Sequence, residues 1–207
     1  MNDIFQSFLQ QLAATTLIET IAVTFGILSV WFARKENILV FPTGIISVVL
    51  YIIICIDVKL YADMGINAFY FIMSVYGWYN WTHQSGKNEE RLISYTTNKE
   101  KIIIAIALIA FFFILYYTLT HFTDSNVPVI DSVTTSIFLV GMWLMAQKKV
   151  ENWTFWIIGD AISIPLYIYK GLILSSFQFF IFLILAILGL IEWRNRYRNS
   201  KTIERAI

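Results

Sequence analysis

The chain is poor in what a water-soluble protein carries on its surface. Only 14% of its 207 residues are charged, against about a quarter in a soluble domain. There is one cysteine, Cys55, so a disulfide scaffold is excluded. The two histidines, His83 and His121, lie in polar stretches, and no His/Asp/Glu spacing suggests a metal or another cofactor. Cys55 has no base near it in any readable motif, which argues against an enzyme. Gly86-Lys87 is followed by Asn88 where a phosphate-binding loop needs Ser or Thr, so no nucleotide drives this protein. The net charge is +1, too small to draw in nucleic acid. The first residues have no basic start and no small-residue cleavage site, so they do not read as a signal peptide. The last hydrophobic run contains no lysine, which excludes a retinal protein.

What is abundant is apolar: 58% of the residues are hydrophobic and the mean hydropathy is +0.67. A core of this size cannot hide that excess, because a short chain keeps much of its surface in solvent. The fold class read from the sequence is therefore an all-α integral membrane protein. A crossing helix needs about 17–25 mostly apolar residues, and seven runs are candidates, with approximate bounds. They are Thr16 to Ala33, Ile38 to Ile56, Tyr61 to Trp81, Ile102 to Thr120, Ser132 to Ala146, Trp153 to Tyr169 and Leu172 to Trp193. Residues 1–14 are too short to cross and read as an interfacial helix. With alternating sides, thirteen Lys and Arg residues fall on one face of the membrane, Lys87 among them. Only Lys59 and Lys170 fall on the other. The positive-inside rule then puts the N-terminus outside and the C-terminus in the cytoplasm. On this reading Trp78, Trp81, Trp153 and Trp193 lie near the cytoplasmic ends, as an aromatic belt does.

An internal repeat organises these spans. Arg34-Lys35-Glu36-Asn37, Phe41 and Gly44 resemble Lys148-Lys149-Val150-Glu151-Asn152, Trp156 and Gly159. Each copy leads to a Gly-x-x-x-Trp, at Gly77 and at Gly189. The Asn-to-Gly separations are 40 and 37 residues, so the second copy reads as three residues shorter. The expected organisation is a three-plus-one-plus-three arrangement of two parallel triple-helix repeats. Residues 15–82 and 131–193 are the repeats, 83–101 a cytoplasmic loop, 102–120 the linker helix and 194–207 a basic tail. Parallel repeats are a transporter architecture with the site at mid-membrane between the halves. Pro42 and Pro165 stand in the middle helix of each triplet and read as paired kinks near that site.

Leu60-Tyr61-Ala62-Asp63, Phe69-Tyr70-Phe71 and Tyr76-Gly77-Trp78-Tyr79-Asn80-Trp81 resemble a core helix of the PnuC family. Asp131-Ser132, Lys148-Lys149-Val150-Glu151-Asn152-Trp153, Leu166-Tyr167 and Lys170-Gly171 extend the resemblance from about Ile18 to Arg194. The resemblance implies a bacterial inner-membrane importer of B-type vitamins with a fold related to the SWEET transporters. Nicotinamide riboside is the family's usual substrate, and thiamine and riboflavin are carried by relatives. It further implies facilitated diffusion, trapping of the substrate by a cytoplasmic kinase, and a homotrimer.

Such a vitamin is a flat ring with polar attachments, so aromatic faces and a few placed hydrogen-bonding groups are needed. Polar side chains at mid-membrane usually face a partner or a cavity. Asp160 and Trp156 are four apart and share a helix face, offering a carboxyl and a ring to a cationic ligand. Asn67 and Tyr70 share a face of the third span, and Gln178 lies roughly at the place of Asn67 in the second copy. Ser47, Trp143 and Tyr76 complete the candidates. Interhelical glue is the rival role for Asn67 and Gln178. Capping is the expected role of Asp63 and Asp131 at helix starts, and Gln147 is expected to meet water. The family often carries asparagine at the positions of Ser47 and Asp160 and glutamine at that of Asn67, and these departures leave thiamine open beside nicotinamide riboside. A receptor-like or structural membrane protein is the reading outside transport.

Overall fold

A computed structural model describes residues 2–57, 59–83 and 91–206. Lys87 and the Gly86-Lys87-Asn88 stretch lie outside them, as does part of the expected cytoplasmic loop. Among the described residues the chain forms eight helices. These are α1 (Asn2–Ala14), α2 (Leu17–Arg34), α3 (Val40–Asp57), α4 (Tyr61–Thr82), α5 (Asn98–Phe122), α6 (Pro128–Ala146), α7 (Asn152–Tyr169) and α8 (Ile173–Ala206). Five of them, α2, α3, α5, α6 and α8, are long and apolar enough to cross a membrane. Helices α4 and α7 are more polar, with Asp63, Asn67 and Asn80 on one and Asn152, Asp160 and Ser163 on the other.

Local chemistry sets the helix starts. Thr16 and Glu19 form a capping box at α2, and Thr97 and Glu100 form another at α5. This accounts for Glu19, which the hydropathy pattern leaves unexplained. α5 begins four residues before the apolar run does, and α8 continues through the basic tail as helix. α1 is pinned to the α7–α8 turn, where Gln11 donates to the Gly171 carbonyl at 2.7 Å and accepts from the Leu174 amide at 3.0 Å.

Helices α2, α3 and α4 pack in sequence, as do α6, α7 and α8, and α5 leans on α6. The groups meet where α4 packs on α6 and α2 on α8. Helix boundaries recur at a constant interval, in a register that differs from the one the loop motifs suggest. α3 and α7 run over Val40–Asp57 and Asn152–Tyr169, each end 112 residues later (152 against 40, 169 against 57). The same interval separates the starts of α4 and α8 and the ends of α2 and α6. It also separates the residues of positive φ, Glu36 from Lys148 and Lys59 from Gly171. No residue is gained or lost between the copies over this stretch. Phe41 therefore corresponds to Trp153, and Gly44 to Trp156. The two asparagines are not equivalents. Asn37 precedes its helix and accepts from the Leu39 amide at 2.9 Å, whereas Asn152 is the first residue of α7.

The prolines are not equivalents either. Pro42 is the third residue of α3, where its missing N–H leaves no helical bond unmade, so it is no kink. Pro165 lies inside α7.

One end of the molecule carries the basic loops, and the main buried cluster gathers there. Phe41, Trp81, Trp153 and Trp193 are each at most 3% exposed. Phe41 meets Trp81 edge-on at 5.0 Å, and Trp153 meets Trp193 edge-on at 5.6 Å. Three of the four tryptophans expected in an interfacial belt are thus core, because glycines let them in. A Cβ on Gly77 would stand 2.5 Å from the Phe41 ring, and one on Gly189 2.7 Å from the Trp153 ring. Only Trp78 is substantially exposed.

Candidate functional site

The helices diverge toward the end away from the basic loops and leave a cavity of about 1550 Å³. Its mouth carries Lys59, Tyr61, Asp63, Asp124, Asp131 and Lys170. Its floor is reached at Tyr70, Trp156, Asp160 and Phe182. The same four residues border a second, smaller pocket of about 220 Å³ that continues toward the basic end. The smaller pocket adds Ser47, Tyr51, Asn67 and Gln178.

Six of the eight substrate-site candidates thus border this continuous space: Ser47, Asn67, Tyr70, Trp156, Asp160 and Gln178. Two do not. Trp143 packs between the two buried apolar clusters. Tyr76 accepts a hydrogen bond from Gln147 Nε2 at 2.5 Å, near the basic end. Gln147 therefore has a protein partner in addition to its partial exposure. Ser47 lines the small pocket but donates its hydroxyl to the Ala22 carbonyl at 2.8 Å, tying α3 to α2. Asn67 donates to the Asp63 carbonyl on its own helix at 2.9 Å.

α4 and α7 supply the polar wall. On α7, Trp156, Asp160, Ser163 and Tyr167 follow each other at i, i+4, i+7 and i+11, one continuous stripe of the helix. This is why α7 is the less apolar helix: its polar side chains face space between helices, where lipid does not reach. Asp160 is 2% exposed. No hydrogen bond or ion pair to its carboxyl is formed among the described residues. Asp131 at the mouth differs: it is held by Lys170 at 2.6 Å and by the Ser125 hydroxyl at 2.7 Å, and it caps no backbone amide of α6.

The sequence reading missed the aromatic wall. Trp156 stacks on Phe138 at 5.5 Å, and Phe138 stacks on Phe179 at 5.9 Å with rings 8° from parallel. Tyr167 leans on Phe179 at 4.8 Å. Trp156 remains part of the cavity lining together with Asp160. Phe138 stands one and two turns beyond Thr134 and Asp131 on α6, but one phenylalanine does not stand out in a chain that is 17% aromatic.

At the basic end the path is shut. Trp81 Nε1 donates to the Met145 carbonyl at 3.0 Å, and Trp193 Nε1 donates to the Ala33 carbonyl at 2.9 Å. Ala33 and Met145 are the penultimate residues of α2 and α6, so the two bonds are equivalents, each crossing between the copies. Lys148 lies 2.7 Å from Glu36 and over the Trp81 ring at 4.8 Å. Residues 91–97 strap the same end. Ser94 pairs with Lys149 in an isolated β-bridge, Thr96 bonds Glu151, and Lys149 bonds Glu100.

A family model described as nicotinamide mononucleotide transporter matches residues 16–195. The chain belongs to that family. It is thus a member of a family of multi-pass membrane transporters, the PnuC family, and not of an enzyme family. The nicotinamide riboside transporter PnuC of Escherichia coli (strain K12) is 28% identical over 213 residues, covering 90% of this chain and 89% of that one. The riboflavin/roseoflavin transporter RibM of Streptomyces davaonensis is 26% identical over 139 residues, covering 66% of this chain and 65% of that one. A crystal structure of the vitamin B3 transporter PnuC superposes on this transporter with a TM-score of 0.70 at 23% identity. It covers 95% of this chain and 90% of that chain, and so shares the fold.

Proposed function

We propose that this transporter takes up nicotinamide riboside across a bacterial inner membrane by facilitated diffusion. The observation that carries the reading is the unpaired carboxyl of Asp160 beside the Trp156 ring, at the floor of a cavity. A buried carboxylate without a partner is costly. A pyridinium stacked on Trp156 would supply the missing positive charge and gain cation–π attraction as well. Inner-pocket amides at Asn67 and Gln178 suit a carboxamide on that ring. Nicotinamide riboside is also the substrate named for the Escherichia coli relative. Thiamine shares the cationic ring and is the competing cargo. Riboflavin, named for the Streptomyces relative, has a neutral ring and would leave the charge of Asp160 unmatched.

On this reading seven helices, α2 to α8, cross the membrane as three, one and three, with α5 the link. The uneven distribution of Lys and Arg supports a cytoplasmic basic end, and the cavity then opens outward. Rocking of the two triplets would break the tryptophan-to-carbonyl bonds at the basic end and deliver the vitamin inward. Nothing in such a cycle needs an energy source, so a cytoplasmic kinase would supply direction by trapping the product. Titration of the purified protein with nicotinamide riboside, thiamine and riboflavin, followed by tryptophan fluorescence, tests the cargo. Tight binding of nicotinamide riboside over the other two is expected. Preference for thiamine would keep the fold and the carboxylate but replace the cargo, and binding of none would remove the vitamin reading.

A further inference from the structure

We propose that Ser163 is a specificity residue for the sugar of the substrate, its hydroxyl bonding one sugar hydroxyl while Asp160 takes a neighbouring one. Ser163 is 1% exposed, and its Oγ has no partner among the described residues. Among the described residues it is the one fully buried side-chain hydroxyl left so. Thr20, Thr24, Thr118, Thr120, Ser132 and Thr134 all return their hydroxyls to the carbonyl four residues back. Leaving a buried hydroxyl unpaired costs stability unless something else meets it. Four other buried polar atoms lack partners: Arg34 Nε, Glu151 Oε2, Asn152 Oδ1 and Trp153 Nε1. None of those residues lines the large cavity, whereas Ser163 does.

Placement gives the orphan hydroxyl its role. Trp156, Asp160 and Ser163 lie on one stripe of α7, and seven residues of helix rise about 10 Å. A ring stacked on Trp156, with its amide toward Asn67 and Gln178, points its substituent toward the cavity mouth. That substituent passes Asp160 first and Ser163 one turn later. A carboxylate accepts from a sugar hydroxyl, as acidic residues do for ribose in dinucleotide sites. A serine hydroxyl both donates and accepts, so it completes recognition of a vicinal diol without a second charge.

This inference rests on the transport reading above, and two probes separate them. 1-Methylnicotinamide carries the same cationic ring with no sugar. In the full-length purified protein, Ser163→Ala should weaken nicotinamide riboside roughly tenfold, a typical cost for one lost hydrogen bond in a site. It should leave 1-methylnicotinamide unchanged, and Asp160→Asn should weaken both. One of the 2′- and 3′-deoxy analogues of nicotinamide riboside should bind wild type and Ser163→Ala equally. The sugar role falls if Ser163→Ala weakens riboside and methyl compound by the same factor, or leaves the riboside unchanged. If wild type binds neither cation, the transport reading falls and this role falls with it.

Discussion

Asp160 and Ser47 look alike in the sequence, each a polar residue inside a hydrophobic run, and the structure separates them by their partners. Ser47 spends its hydroxyl on the α2 backbone, whereas the Asp160 side chain has no partner among the described residues. Their substitutions should therefore diverge. Asp160→Asn removes the carboxyl at the cavity floor, so on the proposed reading cation affinity should fall by about 1–3 kcal/mol while the ligand-free protein melts no lower. Calorimetric titration and a melting curve of the same sample check both halves. A lower melting point with unchanged affinity would make Asp160 a structural residue. Ser47→Ala should do the reverse, lowering stability by about 0.5–1.5 kcal/mol with vitamin affinity unchanged. The pairing of Trp156 with Asp160 was legible because helical spacing alone puts them on one face. Ser163 and Phe138 were not. A serine or a phenylalanine carries no signal of its own in a chain that is 17% aromatic and mostly apolar.

Helices were legible as lengths, since apolar runs and their basic stops mark them. Their register was not. The Asn37 and Asn152 motifs match in letters, but one precedes its helix and the other begins it, so aligning them shifts α3 against α7 by three residues. The glycines would have anchored the alignment correctly, because Gly77 and Gly189 answer the same demand: an aromatic ring lies where a side chain would stand. Alanine at either position pushes against a ring locked in the cluster, and overpacking of this kind costs about 1–3 kcal/mol. Gly189→Ala should lower the thermal midpoint of the detergent-solubilised protein, and Gly77→Ala should do so at least as strongly, its clearance being smaller. Equal melting of either variant with wild type would mean the rings move aside freely. Gly65, whose Cβ would meet nothing within 4 Å, is the control.

Across the whole molecule, the open mouth and the closed basic end describe one conformation, and the closing contacts are few enough to test. Glu36→Gln removes the partner of the buried Lys148. Trp81→Phe with Trp193→Phe keeps two rings and removes both carbonyl-directed donors, about 0.5–1.5 kcal/mol each. Both changes should weaken the closure. In a Cys55→Ser background, a reporter cysteine replacing Met142 in the inner pocket should react faster from the basic side. Unchanged labelling in both variants would place the barrier elsewhere.

The constant interval of 112 residues also bears on ancestry. Trp81 to Met145 and Trp193 to Ala33 are the reciprocal contacts of a two-fold dimer, written here into one polypeptide. The two halves still match where they hold each other shut. They differ where the vitamin would sit: Trp156 stands opposite Gly44 in the repeat, Asp160 opposite Val48, and Gly159 opposite Ser47. A symmetric dimer could not place a single carboxylate beside a single ring without duplicating both. Two halves on one polypeptide escape that constraint, so one half can carry recognition while the other keeps the scaffold.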